Sequence, residues 1–118
     1  MPASSAAEIA RAFTQAWTSG DMATAATYLA DDVTFDGPIN HSRGKQDYLT
    51  GLSAFAQRAS DLNILAALGD DEQAVIIYEL TTGPHRVAYA ERLTCRDGKI
   101  QTDRLIFDSY PMRSGQPS

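Results

Sequence analysis

One cysteine, Cys95, is all that 118 residues contain, so a disulfide within the chain is excluded. Histidine is almost as scarce. His41 and His85 stand far apart and show none of the close His/Cys spacings of a zinc site, so no metal site is expected. No Gly-x-Ser-x-Gly elbow is present, and Cys95 has no motif partner. No dinucleotide fingerprint occurs either. The stretch from Gly37 to Gly44-Lys45-Gln46 has too many residues between its glycines for a phosphate loop. It also has Gln46 where Ser or Thr would bind magnesium. No cofactor is therefore expected. Long apolar runs are missing as well: nothing approaches the roughly 18 residues of a membrane span. The opening MPASSAAEIA lacks the basic start and apolar stretch of a signal peptide, so a cytoplasmic protein that does not engage membranes is expected. Lysine is nearly absent, and the arginines form no run. With a formal charge of -5, the chain repels phosphate backbones, which argues against a nucleic-acid partner.

The composition that remains is that of a globular domain, with 43% hydrophobic and 21% charged residues. The length suits a single domain over 1–118, with loose tails at about 1–4 and 112–118. Ser5-Ala6-Ala7-Glu8 reads as a capping box. Ile9, Phe13, Ala16 and Trp17 follow on one helical face, and Gly20 suits the end of that helix. Asp21 can cap a second helix, whose apolar stripe is Met22, Ala25, Ala26 and Leu29 and which stops near Ala30-Asp31-Asp32. Val33 to Asp36 alternates like a strand and runs into Gly37-Pro38. A loop through Asn40, His41 and Ser42 leads to a third helix near Lys45, with Tyr48, Leu52, Phe55 and Ala59 on its apolar face.

From Leu62 the period changes to two. Strand signals cover about 62–68, 73–81, 85–95 and 99–109, with turns at Gly69-Asp70-Asp71, Thr82-Gly83-Pro84 and Arg96-Asp97-Gly98. Three helices with one strand among them, then an antiparallel meander, make an α+β domain with helices on one face of a curved sheet. The segment from Ala74 to Leu80 is apolar on both faces, where a half-solvated strand should alternate. Either it is a buried central strand, or its second face meets another layer such as a partner subunit.

The run AFTQAWTSGDMATAATYLADDVTFDGP resembles the opening of nuclear transport factor 2-like (SnoaL-like) proteins. Gly44 with the helix after it, and then CRDGKIQTDRLIFD, continue the resemblance almost to the end of the chain. The resemblance implies a cone-shaped curved antiparallel sheet wrapped over three N-terminal helices, a cystatin-like α+β roll, with a pocket at the open end. In that frame Phe13, Trp17, Phe35, Gly37, Leu52 and Phe55 should line the pocket from the helices and first strand. On the later strands, Ile76, Tyr78, Tyr89, Glu91, Leu93, Asp103, Leu105 and Phe107 should turn inward. Such families hold isomerases, polyketide cyclases, dehydratases, epoxide hydrolases and pure binders, so fold alone does not choose among them.

Two catalytic patterns can be laid on these positions. In ketosteroid isomerases the general-base aspartate falls at Gly37, the phenol donor at Phe13 and the neutral acid near Glu91. In limonene epoxide hydrolases, similar at GKIQTDRLIFD, the water-activating aspartate falls on Leu105, and the tyrosine and asparagine on Phe35 and Gly37. What the chain itself offers is Glu91 and Asp103, two acids on the inward face. A carboxyl in an apolar pocket has its pKa raised by desolvation, toward values useful for proton transfer. Either acid could instead pair with an arginine at a rim or a subunit contact. Tyr78 and Tyr89 could orient a substrate oxygen, whereas Arg92 and Arg104 should face away.

The expected function is cofactor-free acid–base catalysis on a small hydrophobic molecule. The alternatives are a non-catalytic binder of such a molecule, an epoxide hydrolase-like enzyme with a non-standard site, and a protein-interaction module. A homodimer through the outer sheet face is the expected assembly.

Overall fold

A computed structural model of the protein describes residues 5–109. The tails expected at 1–4 and 112–118 lie outside the described residues. Ser5 and Glu8 form the reciprocal capping box and open α1 (Ala6–Thr18). The helix buries Ile9, Ala10, Phe13, Ala16 and Trp17 on one face. It ends at Ser19, followed by Gly20 in the left-handed region at φ +87. Asp21 caps α2 (Met22–Thr27) by accepting from the Thr24 amide.

Strand β1 (Leu29–Asp36) starts earlier than the alternation predicts, and α2 is correspondingly shorter. Leu29 belongs to the strand, not to a helical stripe. The reason is tertiary: Leu29 pairs with Ile100, and the Ile100 amide donates to the Tyr28 carbonyl at 2.7 Å. Those contacts fix an extended backbone where local spacing favoured a further helical turn. A short edge strand, β2 (His41–Arg43), replaces the expected loop by pairing with Thr34–Asp36. Helix α3 (Lys45–Ala56) then buries Tyr48 and Leu52. Ala59, expected on that helical face, begins β3 (Ala59–Gly69).

The remaining strands are β4 (Gln73–Thr82), β5 (His85–Arg96) and β6 (Lys99–Ile106). The six strands lie in the order β2-β1-β6-β5-β4-β3. Every pairing is antiparallel except β1 with β6, which sets Phe35 beside Asp103 and Asp36 beside Arg104. β3 is irregular at Ser60/Asn63 and Ile64/Ala66, and Asp61 there adopts φ 56. Such bulges bend a strand and add twist, which gives the sheet its curvature over α1. Asp97 and Gly98, both at positive φ, make the β5–β6 turn. Gly69 has no substitute in its turn, because a Cβ there would stand 2.2 Å from the Gln73 carbonyl oxygen.

The inner sheet face and α1 share one apolar core containing Phe13, Trp17, Ile76, Tyr78, Leu80, Leu93 and Ile100. Burying each such side chain contributes roughly 1.5–3 kcal/mol relative to leaving it in water. β4 resolves its two apolar faces cleanly. Ala74, Ile76, Tyr78 and Leu80 point into the core, whereas Val75 and Ile77 stay 41% and 36% exposed on the outside. Among the described residues no helix is long and apolar enough to cross a membrane.

Candidate functional site

Between α1, α3, the 37–40 loop and strands β4–β6 lies a cavity of about 420 Å³. Its wall is largely aromatic and aliphatic: Trp17, Phe35, Tyr48, Leu52, Phe55, Leu105 and Phe107, with Ile39 and Ala54 toward solvent. Its polar groups are few. Glu91 and the Tyr48 and Tyr78 side chains face it from within, and Asn40, Ser42 and Arg58 complete the lining. A volume of this size suits a small organic molecule. A larger depression, about 720 Å³, opens on the surface around Asp31, Arg43, Lys45 and Asp47. Its charges are exposed and partly neutralise one another, as in the Lys45–Asp31 pair at 3.5 Å. It offers a wet surface, not an enclosed site.

The chemistry of the cavity is concentrated in two carboxyls. Glu91 faces inward on β5 and is 4% exposed; Asp103 faces inward on β6 and is 1% exposed. The register pairs Leu93 with Asp103 and Glu91 with Leu105, so the two acids are diagonal neighbours across the β5–β6 ladder. Each is served by a phenol: Tyr48 donates to Asp103 Oδ2, and Tyr78 donates to Glu91 Oε1. The two carboxyls also lie within hydrogen-bonding reach of each other. Asp103 Oδ1, meanwhile, accepts from no donor among the described residues.

These facts fit together if one proton sits between the acids. Two ionised carboxylates have no hydrogen to share and repel each other in a medium that screens poorly. Burial pushes the Asp103 carboxyl well above the usual carboxylate range, and the adjacent Glu91 charge pushes it further. The Tyr48 hydrogen bond opposes this shift and does not cancel it. Burial and the like charge thus favour the neutral form of Asp103, whose Oδ1 has no partner among the described residues. Tyr48 and Tyr78 are held un-ionised by the same burial and the same negative charge. Each has one hydroxyl hydrogen, and each hydrogen is committed to a carboxyl. Tyr78 thus orients Glu91 and has no hydrogen left for a substrate oxygen. Tyr89 stacks on Tyr78 at 5.5 Å and shares a 2.8 Å hydrogen bond with Thr82. The Trp17 indole N–H is buried with no acceptor among the described residues.

Across β1, a second acidic cluster has the opposite character. Asp36 Oδ1 lies 2.9 Å from His41 Nδ1 and 3.3 Å from the Arg43 guanidinium, on the outer surface. His41, foremost, and then the Arg43 charge hold its carboxyl below the usual range. Neither Asp36 nor His41 borders the cavity.

A model of the SnoaL-like domain matches residues 10–102. The chain belongs to that family. Among curated proteins none matches. Solved structures similar to this SnoaL-like chain include a protein of Kribbella flavida DSM 17836, with a TM-score of 0.89 and 29% identity over 95% of this chain and 93% of that one. An LEH-like epoxide hydrolase of M. tuberculosis has a TM-score of 0.74 and 26% identity, over 93% and 87%. An NTF2-like protein of unknown function from Cytophaga hutchinsonii ATCC 33406 has a TM-score of 0.80 over 96% and 99%, at 17% identity, which speaks to fold alone.

In this SnoaL-like domain the residues expected at the site divide into two groups. Trp17, Phe35, Leu52, Phe55, Tyr78, Glu91, Leu105 and Phe107 border the cavity. Phe13, Ile76, Tyr89 and Leu93 are buried in the core packed behind it, and Asp103 stands behind Glu91. Gly37 lies in the loop beside it, where a Cβ would stand 3.2 Å from the Phe35 ring. Arg92 and Arg104 pair across the outer face, as alternation predicts. Sequence reasoning did not assign site roles to Tyr48 or Arg58. A signal existed for both: residues 48, 52, 55 and 58 follow helical spacing on the face that meets the cavity.

Proposed function

We propose that this SnoaL-like domain is a cofactor-independent acid–base catalyst for a small hydrophobic molecule, of the isomerase, cyclase or dehydratase type. Glu91 is the group that exchanges a proton with the substrate, and Asp103 is the neutral acid that holds Glu91 ready. The observation that carries this reading is a carboxyl on the wall of an apolar cavity, backed by a second buried carboxyl whose spare oxygen has no donor among the described residues. In an isomerisation, the Glu91 carboxylate takes a proton from a carbon next to a carbonyl. The C–H electron pair moves into the carbonyl to give an enolate, and Glu91 returns the proton to a different carbon. The Tyr78 hydroxyl, donating to Glu91 Oε1, holds the carboxyl in one orientation for both proton steps. Aromatic walls exclude water, which would otherwise compete for the proton.

The test is turnover across a panel of small ketones, enones and hydroxy-carbonyl compounds with the wild type and Glu91→Gln. The expected result is activity that the substitution removes while the fold persists. Activity that survives Glu91→Gln sinks the assignment. A second reading, a non-catalytic binder of a hydrophobic metabolite, draws on the committed tyrosine hydrogens and on Phe13, Gly37 and Leu105. Those three residues occupy positions where related catalytic patterns have polar groups. It expects saturable binding with no turnover on the same panel.

The outer face, with Val75, Ile77 and Ile106 exposed, is the surface by which we infer that two copies associate. Sedimentation should show a dimer that Ile77→Asp converts to a monomer. A wild type that stays monomeric at high concentration would end that inference.

A further inference from the structure

Among the described residues the cavity has one cation on its wall, and that cation makes no ion pair. Arg58 follows the end of α3, is exposed, and borders the cavity beside Phe55. Its guanidinium stands 5.9 Å from the Phe55 ring centroid. Other basic side chains nearby are occupied: Arg43 by Asp36, Lys45 by Asp31, Arg86 by Glu79. Arg58 makes no side-chain hydrogen bond or ion pair with any described residue, although the chain carries 15 acidic residues and a charge of -5. At that distance the ring face attracts the charge, and the guanidinium's N–H fork stays free for a planar anion. Arg58 and Glu91 therefore mark two ends of one apolar space, a positive end at the solvent side and a proton-transfer group within.

Ring contacts run inward from the Arg58 end: Phe55 packs against Tyr89 with ring centroids 6.0 Å apart. The Arg58 charge acts on the Tyr89 hydroxyl. Tyr89 and Glu91 lie on the same face of β5, two residues apart, which is about 7 Å along an extended strand. A molecule that reaches both groups crosses the aromatic wall between them, which suits a flat ring body.

We propose that the cavity takes an amphipathic carboxylate, with its ring body among Trp17, Phe35, Phe55 and Phe107 and its carboxylate held by Arg58 at the mouth. This rests on reading the cavity as the reaction site, and it adds the class of molecule that the site selects. The carboxylate stays at the wet end, where its desolvation cost is small and a bidentate guanidinium contact can form. The far end offers a carboxyl and, among the described lining residues, no cation, so a ligand entering with its anion first finds no partner there. The arrangement thus sets orientation as well as affinity.

The test compares 2-naphthoate with its neutral isostere 2-naphthamide by isothermal titration calorimetry at neutral pH. The wild type should bind the carboxylate about tenfold more tightly than the amide. Arg58→Gln should bring that ratio to about one by weakening the carboxylate far more than the amide. Arg58→Lys should keep part of the preference, because it retains the charge and loses the planar fork. Equal binding of the two compounds by the wild type, or a preference that persists in Arg58→Gln, overturns the proposal. Failure of both compounds to bind at millimolar concentration overturns it too, because both are smaller than the cavity. The catalytic reading fails separately. If Glu91→Gln leaves turnover intact but the carboxylate preference stands, only that reading falls. If turnover depends on Glu91 and no preference exists, only the present proposal falls.

Discussion

Asp103 and Asp36 carry the same side chain, lie one register step apart across the β1–β6 pairing, and live in opposite environments. Phe35 pairs with Asp103, and Asp36 pairs with Arg104, so the pleat turns Asp103 inward and Asp36 outward. Inside, Asp103 meets a phenol, an apolar wall and a second carboxyl; outside, Asp36 meets His41, Arg43 and water. Burial and a like charge drive the first carboxyl toward its neutral form. An imidazole and a guanidinium hold the second in its charged form. The sequence position decides which face, and the face decides the proton. The outer cluster ties the edge strand β2 to β1, whereas the inner one places a chargeable group on the wall of an apolar cavity.

Substitutions on the two clusters should separate sharply. The largest effect expected is on turnover. Glu91→Gln keeps the shape and the Tyr78 contact but cannot accept a proton, so kcat should fall by about a hundredfold or more, read by steady-state kinetics. A stability contrast comes next. Asp103→Leu strands the Tyr48 hydroxyl and removes the neutral partner of Glu91, which should cost about 2–4 kcal/mol in urea unfolding. Asp103→Asn, an isostere of the neutral acid, should lie within about 1 kcal/mol of wild type. If Asp103→Asn proves as damaging as Asp103→Leu, Asp103 is ionised and the shared-proton picture fails.

The pH dependence of stability gives a third, smaller contrast, and its sign differs between the clusters. The folded-state pKa of Asp103 lies above its ordinary value of 3.8. Between those two values the folded state holds a proton that the unfolded state has released. The stabilisation is thus complete below 3.8 and is lost as pH rises through the folded value. Asp103→Asn should flatten this decline relative to wild type. For Asp36 the folded value lies below 3.8, so its stabilisation is present above that pH and is lost as pH falls through the folded value. Asp36→Asn should flatten only the acid side. The smallest expected effect is on catalysis by the outer cluster: Asp36→Asn should leave turnover unchanged. A clear loss there would join the two clusters functionally.

Much of this contrast could be read along the chain, because strand alternation is local. The period of two put Glu91 and Asp103 on one face and Arg92 and Arg104 on the other, and the structure keeps that division. The capping box at Ser5 and the cap at Asp21 were equally legible, since their hydrogen bonds span three residues. What escaped depends on distant partners. Tyr48 reads as one more apolar face residue until Asp103, 55 positions later, supplies an acceptor. Leu29 reads as helical until Ile100 pairs with it. His41–Arg43 is too short to show a period and becomes a strand only because β1 offers it an edge.

Trp17 is the chain's single tryptophan, and its indole packs on the cavity wall 5.8 Å from Phe55 and 6.5 Å from Tyr78. Its N–H meets no acceptor among the described residues. The protein therefore carries its own optical gauge. A molecule that fills the cavity changes the polarity and quenching around one fluorophore, with no second tryptophan to blur the signal. Occupancy can be followed as a shift in emission before any reaction is known, in wild type and variants alike, and without a label.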